Sequence, residues 1–487
     1  MDILIKKPRV LIYDENAPDG KYFTIEEKDV AIRGDSILYV GVPSDCGGTD
    51  DTSGCGGVKK ASDCRGMKAA SGCGDTKNAS DCVGMENAAG GVSSKEQPGS
   101  RAGDGAFVPE VVIDGRNRLV IPGLINAHTH NYMTLFRNLA DDVPFGQWLF
   151  EGVMPHEDRM LPEDAYWGAL LGIMEMLRSG TTCFNDMQMH IHQTPQAAVD
   201  SGIRAVVGRG ISNTEGPSGL GRRLKEAAEE IERWRGNDLL SFTIAPHAPY
   251  TCDTEGLKAC VAEAEKRGLR LHIHLSESKQ EVADMRERCG MTPIAYAESI
   301  GLFSVPAIVA HAVQAEPDDI RILARHGVSV VTNPASNMKL GNGFAPVPEL
   351  LSAGVNVAIG TDGAASNNGL NLFREMSLLS LIHKGSHEDA VSVSAQEALR
   401  MATVNGAKAL GLNTGRVAAG CKADLAILSL DCPQMRPFNN IISGLAYAAN
   451  GSEVETVIVN GEIVVKDGHC TNIDEERVYF ETSDRLR

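Results

Sequence analysis

The stretch Leu119–His130 reads LVIPGLINAHTH: an apolar run broken at Pro122-Gly123, resumed, and closed by two histidines two residues apart. On an extended strand, side chains at i and i+2 project from one face, so His128 and His130 point together beyond the strand's end. Two imidazoles fixed on one rigid strand are half of a site for zinc or a similar divalent cation, which needs only one or two further ligands. Such spacings also arise by accident in loops, so the rest of the chain must decide.

Downstream, strand and helix patterns alternate. PEDAYWGALLGIMEMLRSG places Pro162 at a favoured helix start and Gly180 just past the end. The strands expected are Thr182–Asn185, Ala205–Gly208, Phe242–Ala245, Leu271–His274, Ile308–His311, Val328–Thr332 and Val357–Gly360. With the strand before His128 they make eight. Eight strands alternating with helices over about 290 residues predict a parallel (β/α)8 TIM barrel, an α/β fold whose active site lies at the C-terminal ends of its strands. The barrel is expected to span residues 122–408.

Upstream, residues 1–42 carry strand-like runs at Val10–Tyr13, Lys21–Glu26 and Ile37–Val40, with Gly34-Asp35 as a turn; strand character returns at Val108–Ile113. Beyond about Ala409 the helices stop, and ADLAIL and VETVIVNGEIVVKDG follow, the latter with a hairpin signal at Asn460-Gly461. These ends lack helices to pair with. The expectation is a small β-sandwich built from 1–42 and 106–121 together with 409–487.

Between them, residues 43–105 are rich in Gly, Ser, Ala, Asp and Lys and contain no aromatic residue; cysteines fall at 46, 55, 64, 73 and 82, a period of nine. Such a segment cannot bury enough apolar surface to offset its chain entropy, so it reads as a low-complexity, disordered insertion. A cysteine-rich metal module is the alternative, but no CxxC knuckle is present.

The formal charge of −18 argues against a nucleic-acid partner, whose binding rests on Lys and Arg. A small-molecule ligand is the better expectation. No secretory leader and no bilayer-length apolar run is evident, so the protein reads as soluble and cytoplasmic, with no membrane partner. The other seven of the twelve cysteines are scattered singly and call for no oxidising compartment.

Titratable residues at the expected strand ends form a short set: His128 and His130, His247 after the fourth strand, His274 and Glu277 after the fifth, His311 at the sixth and Asp362 after the eighth. The barrel brings these ends to one mouth. Three histidines and an aspartate can hold a catalytic metal that leaves a position for water. No lysine stands at the fourth strand's end to bridge two ions, so one ion is expected. Of His272 and His274, which share a face, His274 is nearer the open end and is taken as the ligand, with His272 behind it. His190 and His192 lie too far past the second strand to be held rigidly.

With PGLINAHTH, HIHLSE around His274, AHAV around His311 and GTDGAASNN around Asp362, the chain resembles the amidohydrolase superfamily, in its branch of aminohydrolases acting on adenosine derivatives. APHAPYTC around His247 and MPHEDR around Glu157 make it similar to the 5'-methylthioadenosine/S-adenosylhomocysteine deaminases and archaeal 5'-deoxyadenosine deaminases. The resemblance covers nearly everything but residues 43–105. It implies one divalent ion per subunit, zinc first with iron or manganese as alternatives, and a homo-oligomer, dimer or tetramer. It implies that His128, His130, His274 and Asp362 are metal ligands, Glu277 a proton shuttle and His311 the residue that orients the attacking water. Glu157 and His247 match substrate contacts, Glu157 to the ribose hydroxyls, while Arg209 and Arg223 match residues facing the 5' substituent. Glu277 and Asp362 also face the substrate. Without the resemblance, Glu157 reads equally as a solvated helix-end carboxylate, and the two arginines as surface charges.

The activity implied is hydrolytic deamination of 5'-deoxyadenosine, 5'-methylthioadenosine, S-adenosylhomocysteine or adenosine. Two alternatives compete: an aminohydrolase or chlorohydrolase of a free purine, pyrimidine or triazine ring, and a non-catalytic barrel serving in assembly. A free ring has no vicinal diol for Glu157, and a barrel freed from catalysis need not keep every ligand, Glu277 and His311.

Overall fold

The computed structural model describes residues 1–41, 107–483 and 485. The Cys-repeat insertion expected at 43–105 lies outside the described residues.

Eight parallel strands form the expected barrel: β1 (Leu124–Thr129), β2 (Thr181–Gln188), β3 (Arg204–Ile211), β4 (Leu240–Pro246), β5 (Arg270–Leu275), β6 (Ala307–His311), β7 (Ser329–Thr332) and β8 (Asn356–Ile359). Each pairs with its sequential neighbour. Runs such as AIVAH and SVVT are buried along their whole length, as strands covered on both faces must be. The ring closes at its seam without a regular ladder. There the amides of Thr361 and Asp362 both donate to the His128 carbonyl at 3.1 Å, and a Cβ on Gly360 would stand 2.7 Å from that oxygen. The seam thus places Asp362 beside His128. The floor of the barrel is an apolar layer of Ile125, Ala127, Cys183, Val206, Ile308, Val331 and Ala358, plugged by Ala407 and Leu410 of the helix Val404–Leu410.

The helix predicted from Pro162 runs Pro162–Arg178, and Gly180 follows at φ +81°, a conformation that favours glycine.

Both ends of the chain build the remaining sheets. A seven-stranded sheet joins Phe23–Glu27, Arg9–Tyr13 and Arg118–Pro122 from the N-terminal half to Leu425–Ser429, Val454–Val459, Glu462–Lys466 and His469–Cys470. A four-stranded sheet holds Ser36–Gly41, Asp29–Arg33, Ile3–Lys6 and Val111–Asp114. Ile3, Ile5, Val30 and Ile32 of the smaller sheet pack against Val10, Val120, Leu425 and Ile427 of the larger. Two of these strands, Ile3–Lys6 and Asp29–Arg33, were not among the three expected in residues 1–42. The first pairs in parallel with Val111–Asp114, a partner more than 100 residues away. Sandwich strand Arg118–Pro122 passes straight into β1 at Gly123, where a Cβ would collide with the Thr182 side chain at 2.0 Å.

Among the described residues, no helix is long and apolar enough to cross a membrane, and the seven described cysteines are free thiols.

Candidate metal centre

β1 ends in His128 and His130, β5 carries His274, and the turn after β8 supplies Asp362. One ring nitrogen from each of His128, His130 and His274 lies within 4.8 Å of the others, and His128, His311 and Asp362 form a second such group. Either set could hold a metal ion. Asp362 Oδ1 is 3.4 Å from His128 Nε2 and 3.5 Å from His130 Nε2, so one carboxylate faces two imidazoles.

The surrounding hydrogen bonds orient these groups. Nδ1 of His130 donates to the Met187 carbonyl at 2.8 Å, and Nδ1 of His274 to the His247 carbonyl at 2.7 Å. A proton held on Nδ1 leaves the lone pair on Nε2, the form a ligating histidine needs. His128 Nδ1 meets His272 Nε2 at 2.9 Å, and its own Nε2 is buried with no hydrogen-bond partner among the described residues. An orphaned buried nitrogen is costly unless something occupies it. Asp362 Oδ2 accepts from Ser336 at 2.7 Å and Ser366 at 2.9 Å, which leaves Oδ1 toward the histidines. Burial by itself would raise the Asp362 carboxyl, yet His128, 3.4 Å away, and the neighbouring imidazoles hold it well below the usual range. Burial pushes His128 down to about 4 and His274 well below its ordinary value, so both rings are neutral at pH 7 and able to ligate.

Glu277 lies on the loop after β5, nearly buried, with Oε2 4.0 Å from His311 Nε2. Asn342 donates to its Oε1 at 3.2 Å, and its backbone N–H donates to Glu281. Burial raises the Glu277 carboxyl, with the His311 charge opposing. His311 is itself fixed by a 2.9 Å hydrogen bond from Nδ1 to Asn337. Ser276, His311, Ala312 and Asp362 all adopt positive φ, a strained backbone that persists only where the surroundings dictate it. Four such residues fall within two strand ends and one turn at this mouth.

The predicted substrate residues fall around it. The His247 ring lies 4.9 Å from that of His274, donates or accepts at Thr251 Oγ1, and is driven down to about 3 by burial first and then by the neighbouring histidines. Glu157 ends the short helix Met154–Glu157; it is half-buried and accepts from the Tyr132 hydroxyl. Burial raises its carboxyl, and the Tyr132 hydrogen bond is the largest opposing influence, followed by the His130 charge. Arg209, on β3, is buried and pairs with Glu226 at 2.9 Å. Arg223 is buried too, bonded to the Ser212 carbonyl and Glu215, which overturns its reading as a surface charge. The reason is a fold-back: residues 212–215 double over the first turns of the helix Gly216–Arg233 and cover the guanidinium.

The tail after β2 is also better held than expected. β2 extends to Gln188, and the His192 backbone N–H donates to the buried Glu230 carboxylate. Sequence reasoning did not find Tyr132, Asn337, Asn342, Ser336 or Ser366. The last four sit in NPASNMKLGN and GTDGAASNN, polar runs directly after β7 and β8 whose position was the available signal.

A model of the amidohydrolase family matches residues 119–464, from the sandwich strand before β1 to the strand after Asn460-Gly461. The chain belongs to the amidohydrolase family. Among curated relatives, this amidohydrolase is 44% identical over 382 residues to a 5-methylthioadenosine/S-adenosylhomocysteine deaminase of Caldanaerobacter subterraneus subsp. tengcongensis, covering 78% of this chain and 88% of that one. It is 44% identical over 371 residues to a 5'-deoxyadenosine deaminase of Methanocaldococcus jannaschii, covering 76% and 88%. Among solved structures, a zinc-bound adenosine deaminase from Xanthomonas campestris superposes with a TM-score of 0.82 at 30% identity, over 100% of this chain and 98% of its own. The amidohydrolase barrel is therefore shared with an adenosine deaminase, and its curated relatives are named as deaminases.

Proposed function

We propose that this amidohydrolase is a metal-dependent hydrolytic deaminase of 5'-modified adenosines: the nucleoside and water yield the inosine analogue and ammonia. The observation that carries the reading is Glu277, a buried carboxyl with raised proton affinity, set beside His311 at the mouth that holds the histidine cluster. Relatives named for this chemistry support it.

His128, His130, His274 and Asp362 would hold one divalent ion. Three neutral imidazoles and a carboxylate, with no thiolate, suit zinc first and iron or manganese next. The orphaned Nε2 of His128 and the two rings whose Nδ1 protons are committed to carbonyls fit that use. Bound there, the ion would supply Lewis acidity that lowers the pKa of water toward about 7.

The chain's own residues do the rest. Glu277 delivers a proton to purine N1 as C6 is attacked and later carries one to the departing ammonia, for which a carboxyl raised above its ordinary value by burial is apt. Asn342 keeps its Oε1 in place. His311, locked by Asn337, directs Nε2 at the attacking water. Glu157 accepts from the ribose hydroxyls and His247 contacts the nucleoside; Arg209 and Arg223 lie on the 5' side. A free purine, pyrimidine or triazine ring would leave Glu157 without a diol, so the nucleoside reading is preferred.

The reading extends to a catalytic barrel of residues 122–408 beside a sandwich of 1–42, 106–121 and 409–487, in a cytoplasmic homo-oligomer with no nucleic-acid or membrane partner. Metal analysis of the purified protein, then loss of the adenine absorbance across a panel of 5'-modified adenosines, tests the activity. Light scattering tests the assembly. Turnover of free bases but of no nucleoside would overturn the proposal.

A further inference from the structure

Tyr132 follows His130 by two residues and is 1% exposed. Its ring stands edge-on to Phe136 at 6.3 Å and is packed with Trp148, Met160, Ala165 and Leu340. A Cβ on Gly168 would come within 2.5 Å of the Tyr132 carbonyl, so the helix Pro162–Arg178 presses directly on this backbone. This packing restrains the phenol. Buried tyrosine hydroxyls require a partner, and this one donates to Glu157 Oε1.

Glu157 has no comparable support of its own. It closes a four-residue helix preceded by the π-helical segment Trp148–Val153. Among the described residues, Tyr132 is its hydrogen-bond partner, and Oε2 makes no hydrogen bond to the protein.

We propose that Tyr132 is a positioning residue for nucleoside recognition, its hydroxyl holding the Glu157 carboxylate so that the remaining lone pairs meet the two ribose hydroxyls. The inference rests on the reading of Glu157 as the ribose-binding residue. A carboxylate has about four acceptor positions, and the tyrosine takes one of them. It thereby removes rotamer freedom that the substrate would otherwise have to freeze. Tyr132 touches no reacting atom, so its effect belongs to KM and to substrates that carry the diol.

The test is Tyr132→Phe, assayed with 5'-deoxyadenosine and with 2',3',5'-trideoxyadenosine, alongside metal content. For the diol substrate, KM should rise about tenfold with kcat within about twofold, the scale of one lost hydrogen bond to a charged group. For the trideoxy substrate the same substitution should change kcat/KM by less than about twofold, and metal content should hold. In a Glu157→Ala background, Tyr132→Phe should add nothing for either substrate. Glu157 is part-exposed and stands outside the apolar cluster around Tyr132, so its truncation leaves that packing in place; a folding defect of Tyr132→Phe would lower activity for both substrates in both backgrounds. An unchanged KM for 5'-deoxyadenosine, or equal losses with and without the diol, would overturn the proposal. If the unaltered enzyme deaminates no adenosine nucleoside, the activity reading fails instead, a separate outcome.

Discussion

His272 Nε2 lies 2.9 Å from Nδ1 of His128, with both rings fully buried. The contact sits on the side of His128 away from Asp362, so His272 meets the ring nitrogen that sets the tautomer of a proposed metal ligand. Groups of this kind typically contribute a factor of 10–100 in metal affinity. His272→Ala should weaken metal binding by about that factor, read by competition with a chelator, and activity should return at high metal concentration. An unaltered affinity would show that His128 finds its tautomer without help.

Glu277→Gln should retain the metal and lower kcat by about 10²–10⁴, the usual range for a positioned acid or base. Asn342 can still donate to the amide oxygen, so the fold around the residue is kept. His274→Ala should lose metal and activity together. Near-normal turnover in the glutamine variant would assign the proton transfer to another group.

Glu230 offers a pH test remote from the metal ligands. It is buried beneath the tail after β2, where it accepts from Gln188 Nε2 and the His192 amide. Burial pushes its carboxyl up to about 7, against which those hydrogen bonds act. An acid whose folded pKa exceeds its unfolded one contributes stability that is complete below the unfolded pKa and lost as pH rises through the folded one. Between about pH 4.5 and 7 the loss approaches roughly 1.4 kcal/mol per pH unit. Relative to the parent protein, Glu230→Gln should therefore become progressively more stable in urea melts from pH 5 to pH 8. A stability difference independent of pH would place the titration elsewhere.

Arg223→Ala tests the 5' end. Its guanidinium already serves Glu215 and the Ser212 carbonyl, and its buried Nε has no partner among the described residues. If that group also meets the homocysteine carboxylate, kcat/KM for S-adenosylhomocysteine should fall about tenfold while 5'-deoxyadenosine is spared. Equal losses for both would mean that Arg223 serves only the loop it ties down.

The sequence alone determined the alternation of strands and helices, the barrel it implies, and the placing of His128, His130, His274, His311 and Asp362 at strand ends. These are consequences of short-range order: a two-residue period in strands, Pro and Gly at helix ends, apolar runs that only burial on both faces explains. Only the tertiary structure decided what stands behind those residues. His128 and His272 are separated by 144 positions, and Asn342 reaches Glu277 across 65. Strand Ile3–Lys6 is completed by Val111–Asp114 beyond the insertion, and Arg223 became a buried group because residues 212–215 fold over it. Tyr132 and Glu157 are closer in sequence, yet an irregular helical segment lies between them and carries no period to read. Partners and burial of this kind depend on which surfaces meet, and local patterning does not encode that.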